Sequence, residues 1–303
     1  MPNKLYLECY SGISGDMTVA ALLDLGADQQ VLLEGLESLN LPGYQLKIGR
    51  VKKNGIDACD FDVILDEPEH HHEHEHEHHH EHEHEHHHDH EHEHHHDHEH
   101  EHHHDHDHEH DHDHDHEHHH DHDHEHHHHH DHVHRNIGDI FAIIDQSKIS
   151  DRAKQTAKDI FRIIAAAESK AHGIAEDQVH FHEVGAVDSI VDIVSAAICL
   201  DNLDITEAVV SDLYEGCGYV HCQHGLMPVP VPAVVNIAAD NALRLRLTQT
   251  RGEMITPTGA AIAAYLSKGG KLPESFVIEK IGLGAGKKDF ATANILRAFL
   301  IRD

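Results

Sequence analysis

Apolar residues recur along this chain with two different periods, and one long internal stretch contains almost none. The run KLYLECY at 4–10 predicts a short buried strand, and MTVAALLDLG, after the glycine-rich SGISGD, predicts a helix closed by Gly26. A second helix is expected over 28–39. YQLKIGRVKK and IDACDFDVIL flank Asn54-Gly55, a pair able to take the positive φ angles of a tight two-residue turn, so the two strings predict a hairpin. Further on, 136–146 and 151–172 read as helices, the second between a Ser150 cap and a Gly173 stop. VHFHEVG predicts a short strand or turn, and 186–203 an amphipathic helix with acidic first turns. Strands are expected near 208–213, 218–221, 276–282 and 294–301, and helices near 233–240 and 257–266. This order predicts an α+β (mixed α/β) fold class, with residues 1–68 and 135–303 packing as one core.

The interruption changes the composition of the whole chain. Residues 69–132 hold 40 histidines and 24 acidic side chains and nothing else, and without them the formal charge falls from −34 to −10. Histidine occupies every even position from 70 to 134 in a degenerating eight-residue repeat. With no apolar side chain to bury, residues 69–134 are expected to form a long disordered His/Asp/Glu-rich insertion. Imidazole suits Ni, Zn and Cu, and the interleaved carboxylates add charge and outer acceptors. His70, His72, His74, His76, His78 and His80 at one end, and His128, His130 and His132 at the other, are therefore candidate metal ligands. Lacking fixed geometry, the tract fits a metal reservoir or delivery role, or a spacer with incidental affinity, better than catalysis.

Several classes can be set aside on the same evidence. No run of eighteen apolar residues occurs and the first residues carry no basic, then apolar, signal pattern, so a cytoplasmic protein without a membrane segment is expected. Five scattered cysteines predict free thiols. Acidic net charge, no tryptophan and no Lys/Arg stripe argue against nucleic acid as partner.

Four strings could carry chemistry. His180-Phe181-His182-Glu183 sets two imidazoles on one side of an extended segment, and Asp188 and Asp192 share one helix face four residues apart. Together they could hold one cation; the spacing equally fits strand histidines beside a helix whose first acids complement its dipole. Cys222 and His224, within GCGYVHCQHG, are further metal candidates, expected to approach the same cavity, although small buried thiols would look the same. SGISGD (Ser11, Gly12, Ser14, Gly15, Asp16) and TPTG (Thr256, Thr258, Gly259) each precede a predicted helix, where free backbone N–H groups attract a phosphate; ordinary caps have the same composition. GLGAGKKD lacks the spacing of a nucleoside-triphosphate loop, which disfavours a GTPase metallochaperone.

SGISGDM at 11–17, HFHEVGAVDSIVDIV at 180–194, HCQHGLMPVPVPA at 221–233, TPTGAA at 256–261 and GLGAGKKD at 282–289 occur in the order found in the LarC nickel insertion family, which the chain resembles on both sides of the tract. Members often carry a histidine-rich insertion in the corresponding place. The resemblance implies a nickel insertase, a metal-cofactor chelatase of the lyase class. It would place Ni(II) in pyridinium-3,5-bisthiocarboxylic acid mononucleotide to give the cofactor of lactate racemase, using CTP with Mg(II) or Mn(II). Nickel would be bound through two sulfurs and a ring carbon, so a ring proton must leave and a base is needed. Glu183 is the candidate base and Asp16 the second candidate catalytic carboxylate. The sequence departs from the family at Glu8-Cys9, where members generally have Asp before SGISGD. It also stops at FLIRD where full-length members continue, so a carboxy-terminal portion carrying the CTP site is an expected partner. The alternative is a nickel storage protein or metallochaperone without catalysis.

Overall fold

The computed structural model describes residues 3–66, 135–179, 187–222 and 224–302. The tract and the segment with His180, His182 and Glu183, with every expectation placed on them, lie outside the described residues. The described chain runs β1 (Asn3–Glu8), α1 (Gly15–Asp24), α2 (Gln29–Glu37), β2 (Tyr44–Lys53), β3 (Ile56–Leu65), α3 (Ile137–Gln146), α4 (Asp151–His172), α5 (Val187–Asn202), β4 (Ile205–Val210), β5 (Leu213–Cys217), β6 (Tyr219–Cys222), β7 (Gly225–Pro228), α6 (Pro232–Asp240), β8 (Leu245–Arg251), α7 (Pro257–Leu266), β9 (Val277–Ala285) and β10 (Ile295–Arg302). The fold is mixed α/β.

Six strands form one mixed sheet in the order β2-β3-β9-β10-β1-β4, so the carboxy-terminal pair β9–β10 is inserted between the β2–β3 hairpin and β1. β1 is the pivot: it pairs antiparallel with β10 and parallel with β4, and its Leu5 and Leu7 are fully buried. β2 and β3 form the expected hairpin with Lys53 opposite Ile56, and Asn54 and Gly55 take φ of 50° and 84° in the turn. β5 and β8 pair in parallel, and β6 and β7 form a small antiparallel hairpin.

Helix α1 lies directly on β9, because two strand positions lack side chains. A Cβ at Gly282 would come within 2.1 Å of the Ala21 carbonyl oxygen, and one at Gly284 within 2.0 Å of that of Met17. Behind α1, the apolar faces of α4, α5 and α7 fill the core with Phe161, Ile164, Ile190, Val194 and the alanines of GAAIAA, all fully buried. Two of these helices have plain local boundaries. Asn136 and Asp139 close a reciprocal capping box at α3, Ser150 caps α4, and Gly173 at φ 65° ends α4 in the left-handed conformation.

Two expectations are corrected. The strand predicted at 208–213 is two strands, β4 and β5, interrupted where Ser211 N–H donates to Leu7 O and Asp212 turns out to pair with Arg244 and Arg246. β8, with the string LRLTQTR, was not anticipated; its leucines are outnumbered by polar residues, and Leu247 is exposed. Among the described residues no disulfide joins the five cysteines, and no helix is long and apolar enough to cross a membrane.

Candidate functional site

The loops SGIS and MITP, more than 240 residues apart, lie side by side. Ile13 N–H donates to Met254 O at 3.0 Å and Thr256 N–H to Ile13 O at 3.1 Å, a single step of parallel ladder between Ile13 and Ile255. Glycine makes this approach feasible: a Cβ on Gly12, at φ 87°, would fall 2.0 Å from Met254 O, and one on Gly259 would fall 2.2 Å from Ile13 O. A buried carboxylate fixes the second loop from behind. Glu215 Oε1 accepts from the backbone N–H groups of Gly216, Met254 and Ile255 at 2.7, 2.7 and 3.2 Å. Burial pushes its carboxyl up to about 7 despite those three donors, and its Oε2 has no hydrogen-bond partner among the described residues.

The starts of α1 and α7 consequently converge on a cavity of about 250 Å³. Its lining includes Ser14, Asp16, Asp188 and Asp192 together with Glu253, Thr256, Thr258 and Lys287. Gly15 is a point of close approach between α1 and α5, since a Cβ there would sit 2.4 Å from Asp192 Oδ2. Asp192 is half-buried with its Oδ1 enclosed, and desolvation of the carboxyl, with Asp16 and Asp188 adding repulsion, holds it well above the usual range; Lys287 and the Asp16 N–H act against this. Its Oδ1 has no hydrogen-bond partner among the described residues. Burial opposes the Lys287 charge, but a hydrogen bond to Asp62 at 2.7 Å and the fields of Asp16 and Asp192 outweigh it, so the ammonium is held above its ordinary range. Beside this cavity a second one, of about 170 Å³, adds Lys288, Phe290 and Asn294.

The helix starts are less free than their sequences imply. At α1, Asp192 takes the Asp16 N–H, the Asp16 carboxylate takes the Met17 N–H, and the Ser14 carbonyl takes that of Thr18. Ser14 Oγ donates to Asp16 instead of capping the helix. At α7, Pro257 brings no N–H, and Thr256 takes those of Gly259 and Ala260, which leaves the Thr258 N–H unused by the cap. An anion here would meet Lys287, Thr258 and the hydroxyls, while a cation would meet the aspartates. The arrangement suits an anionic ligand that carries a metal ion.

Of the residues singled out from the sequence, Ser14, Gly15, Asp16, Asp188, Asp192, Thr256 and Thr258 come together at this cavity. Gly12 and Gly259 serve the contact between the two loops, and Ser11 lines a separate groove with Glu8, Tyr10 and Arg297. Cys222 and His224 do not line the cavity among the described residues; the His224 ring lies 4.9 Å from that of His172. No group of three or more His, Cys, Asp or Glu side chains among the described residues is placed to hold a metal. Lys287 and Glu215 were not foreseen. Lys287 stood in GLGAGKKD, a string set aside because its phosphate-loop spacing failed.

The comparisons with known proteins agree with one another. The family profile described as nickel insertion protein matches residues 5–303. The chain is 56% identical to the pyridinium-3,5-bisthiocarboxylic acid mononucleotide nickel insertion protein of Alkaliphilus metalliredigens over 100% of its own length and 61% of the relative's. It is 43% identical to the protein of that name from Clostridium acetobutylicum, over 98% of the chain and 63% of the relative. With the protein of that name from Acetivibrio thermocellus the identity is 36%, over 98% and 60%. The chain thus spans about three fifths of the length of these relatives. No solved structure matches it. With a family match that begins at β1 and runs through β10, the chain belongs to the nickel insertion protein family.

Proposed function

We propose that this chain is the nickel- and substrate-handling part of a nickel insertase acting on pyridinium-3,5-bisthiocarboxylic acid mononucleotide in the cytoplasm. The observation that carries the reading is the cavity where the two family strings SGISGD and TPTG meet, lined by Lys287 together with Asp16, Asp188, Asp192 and Glu253. Thr258 and Lys287 would receive the mononucleotide phosphate. The aspartates would receive the cation, and the histidine tract would supply it. A nickel–carbon bond forms as the ring C–H proton passes to a base; Glu183 and Asp16 are the candidates. We assign the use of CTP with Mg(II) or Mn(II) to the part of the relatives' length that this chain does not span, and lactate racemase to the consumption of the product.

The test is to incubate the chain with nickel chloride, the mononucleotide and CTP with Mg(II) or Mn(II), alone and with the remaining portion of a relative. The reading expects mass spectra of a product that has gained nickel and lost a ring proton in the supplemented reaction. Nickel uptake without product in both reactions would instead favour storage or delivery, which the tract supports.

A further inference from the structure

The cavity at the helix starts and the smaller one beside it are two ends of one depression, because Ser14, Asp16, Glu253, Thr256 and Lys287 line both. At about 250 and 170 Å³, each falls short of the roughly 300 Å³ from which small-ligand sites usually begin, and joined they pass it. Their ends differ in chemistry. Thr258, whose N–H the α7 cap does not use, lines the larger end alone, with Asp188 and Asp192. Met17, Met254, Lys288 and Phe290 line the smaller end alone. A phosphate suits the first, and a flat ring with anionic substituents suits the second.

The loop that carries Lys288 is held in place by its neighbours. Lys53, at the β2–β3 turn, donates to the carbonyl oxygens of Lys287 and Lys288 at 3.3 and 3.5 Å and to Asp289 at 2.6 Å, and Asn54 donates to Ala291 O at 3.0 Å. Within the loop, buried Asn294 donates to Lys288 O at 2.9 Å, and Gly286 N–H donates to Asn294 O at 2.9 Å. Phe290 is half-buried, with Cε1 3.6 Å from where a Cβ on Gly252 would lie. The Lys288 ammonium meets the Glu253 carbonyl and carboxylate, both at 3.2 Å, longer than the usual 2.7–2.9 Å or so of a charge-assisted bond. An ammonium with three donors and only such long contacts gains by turning to a closer anion. We propose that the smaller end is the ring subsite of the mononucleotide, with Lys288 pairing with a thiocarboxylate and Phe290 packing on the pyridinium face; this rests on the mononucleotide reading above. The electron-rich face of Phe290 attracts the positive charge of the ring. Lys288 is then the residue that separates a ring with anionic substituents from one with neutral substituents.

The full chain is titrated calorimetrically, in metal-free buffer, with pyridinium-3,5-bisthiocarboxylic acid mononucleotide and with nicotinamide mononucleotide, which keeps the phosphate, sugar and pyridinium but carries a neutral amide. Lys288→Gln should raise the Kd of the first ligand at least about ten-fold and leave that of the second within about two-fold. Phe290→Leu should raise both by about three-fold or more, since both ligands present a pyridinium face. Lys288→Arg should restore part of the discrimination. Thermal midpoints of the variants beside the parent report whether the fold is kept, and Lys288, half exposed, is replaced without disturbing the core. Parental binding of both ligands to Lys288→Gln, or an equal loss for both, overturns the ring subsite and leaves the mononucleotide reading standing; so does unchanged binding to Phe290→Leu. A parent chain that binds neither ligand overturns both.

Discussion

The carboxylate of Asp192 occupies the space a side chain on Gly15 would fill, with Oδ2 2.4 Å from an ideal Cβ position. SGISGD therefore needs its second glycine for packing against α5 as much as for any ligand. Gly15→Ala should cost about 1–3 kcal/mol of stability, because the Asp192 carboxyl is enclosed and accepts the Asp16 N–H. Urea denaturation of the variant beside the parent measures this, and an unchanged midpoint would contradict the packing described.

Glu215 makes stability depend on pH. Its folded-state value of about 7 lies above the 4.5 of the unfolded chain, so the fold prefers the protonated form. The contribution is complete below pH 4.5 and is lost as the pH rises through about 7. Glu215→Gln keeps an oxygen for the three N–H donors but cannot ionise. Relative to that variant, the parent should lose roughly 3 kcal/mol between those limits. Parallel stability curves for the two proteins would remove Glu215 as the source.

Gly284 sets the distance between α1 and β9. Gly284→Ala would put a methyl carbon 2.0 Å from Met17 O and should destabilise by about 3 kcal/mol. Gly49→Ala, in β2 with nothing within 4 Å of its Cβ position, should stay within about 0.5 kcal/mol of the parent. Equal thermal midpoints for the two variants would show that α1 has room to move.

The histidine tract should release its nickel on mild acidification, since free imidazole titrates near pH 6.5 and protons compete with the metal. Equilibrium dialysis is expected to give many weakly bound ions at pH 7.5 and few at pH 5. One tight, acid-resistant ion would count against a reservoir without fixed geometry.

Elements with chemical punctuation were legible in the sequence. Asn54-Gly55 defines its turn through positive φ, and Ser150 and Gly173 bracket α4 because each satisfies backbone groups that the helix leaves open. The convergence of Ser14 with Thr256 and Thr258 could be suspected from shared helix-start chemistry, yet the contact itself runs through backbone atoms of Ile13 and Met254, which no side chain announces. Lys287 depends on where β9 delivers it. β8 was missed since its pairing with β5, and not its own apolar pattern, makes it a strand.

The single ladder step between Ile13 and Ile255 also sets an order of events during synthesis. The cavity needs Ser14 from the first turn of α1, Thr258 from α7 and Lys287 beyond β9, so a growing chain cannot complete it until nearly all described strands have left the ribosome. Residues 69–132 emerge some 150 residues earlier than Lys287. On the proposed reading, a cation collected by those histidines would be on the chain before the cavity exists, so loading would precede folding of the site.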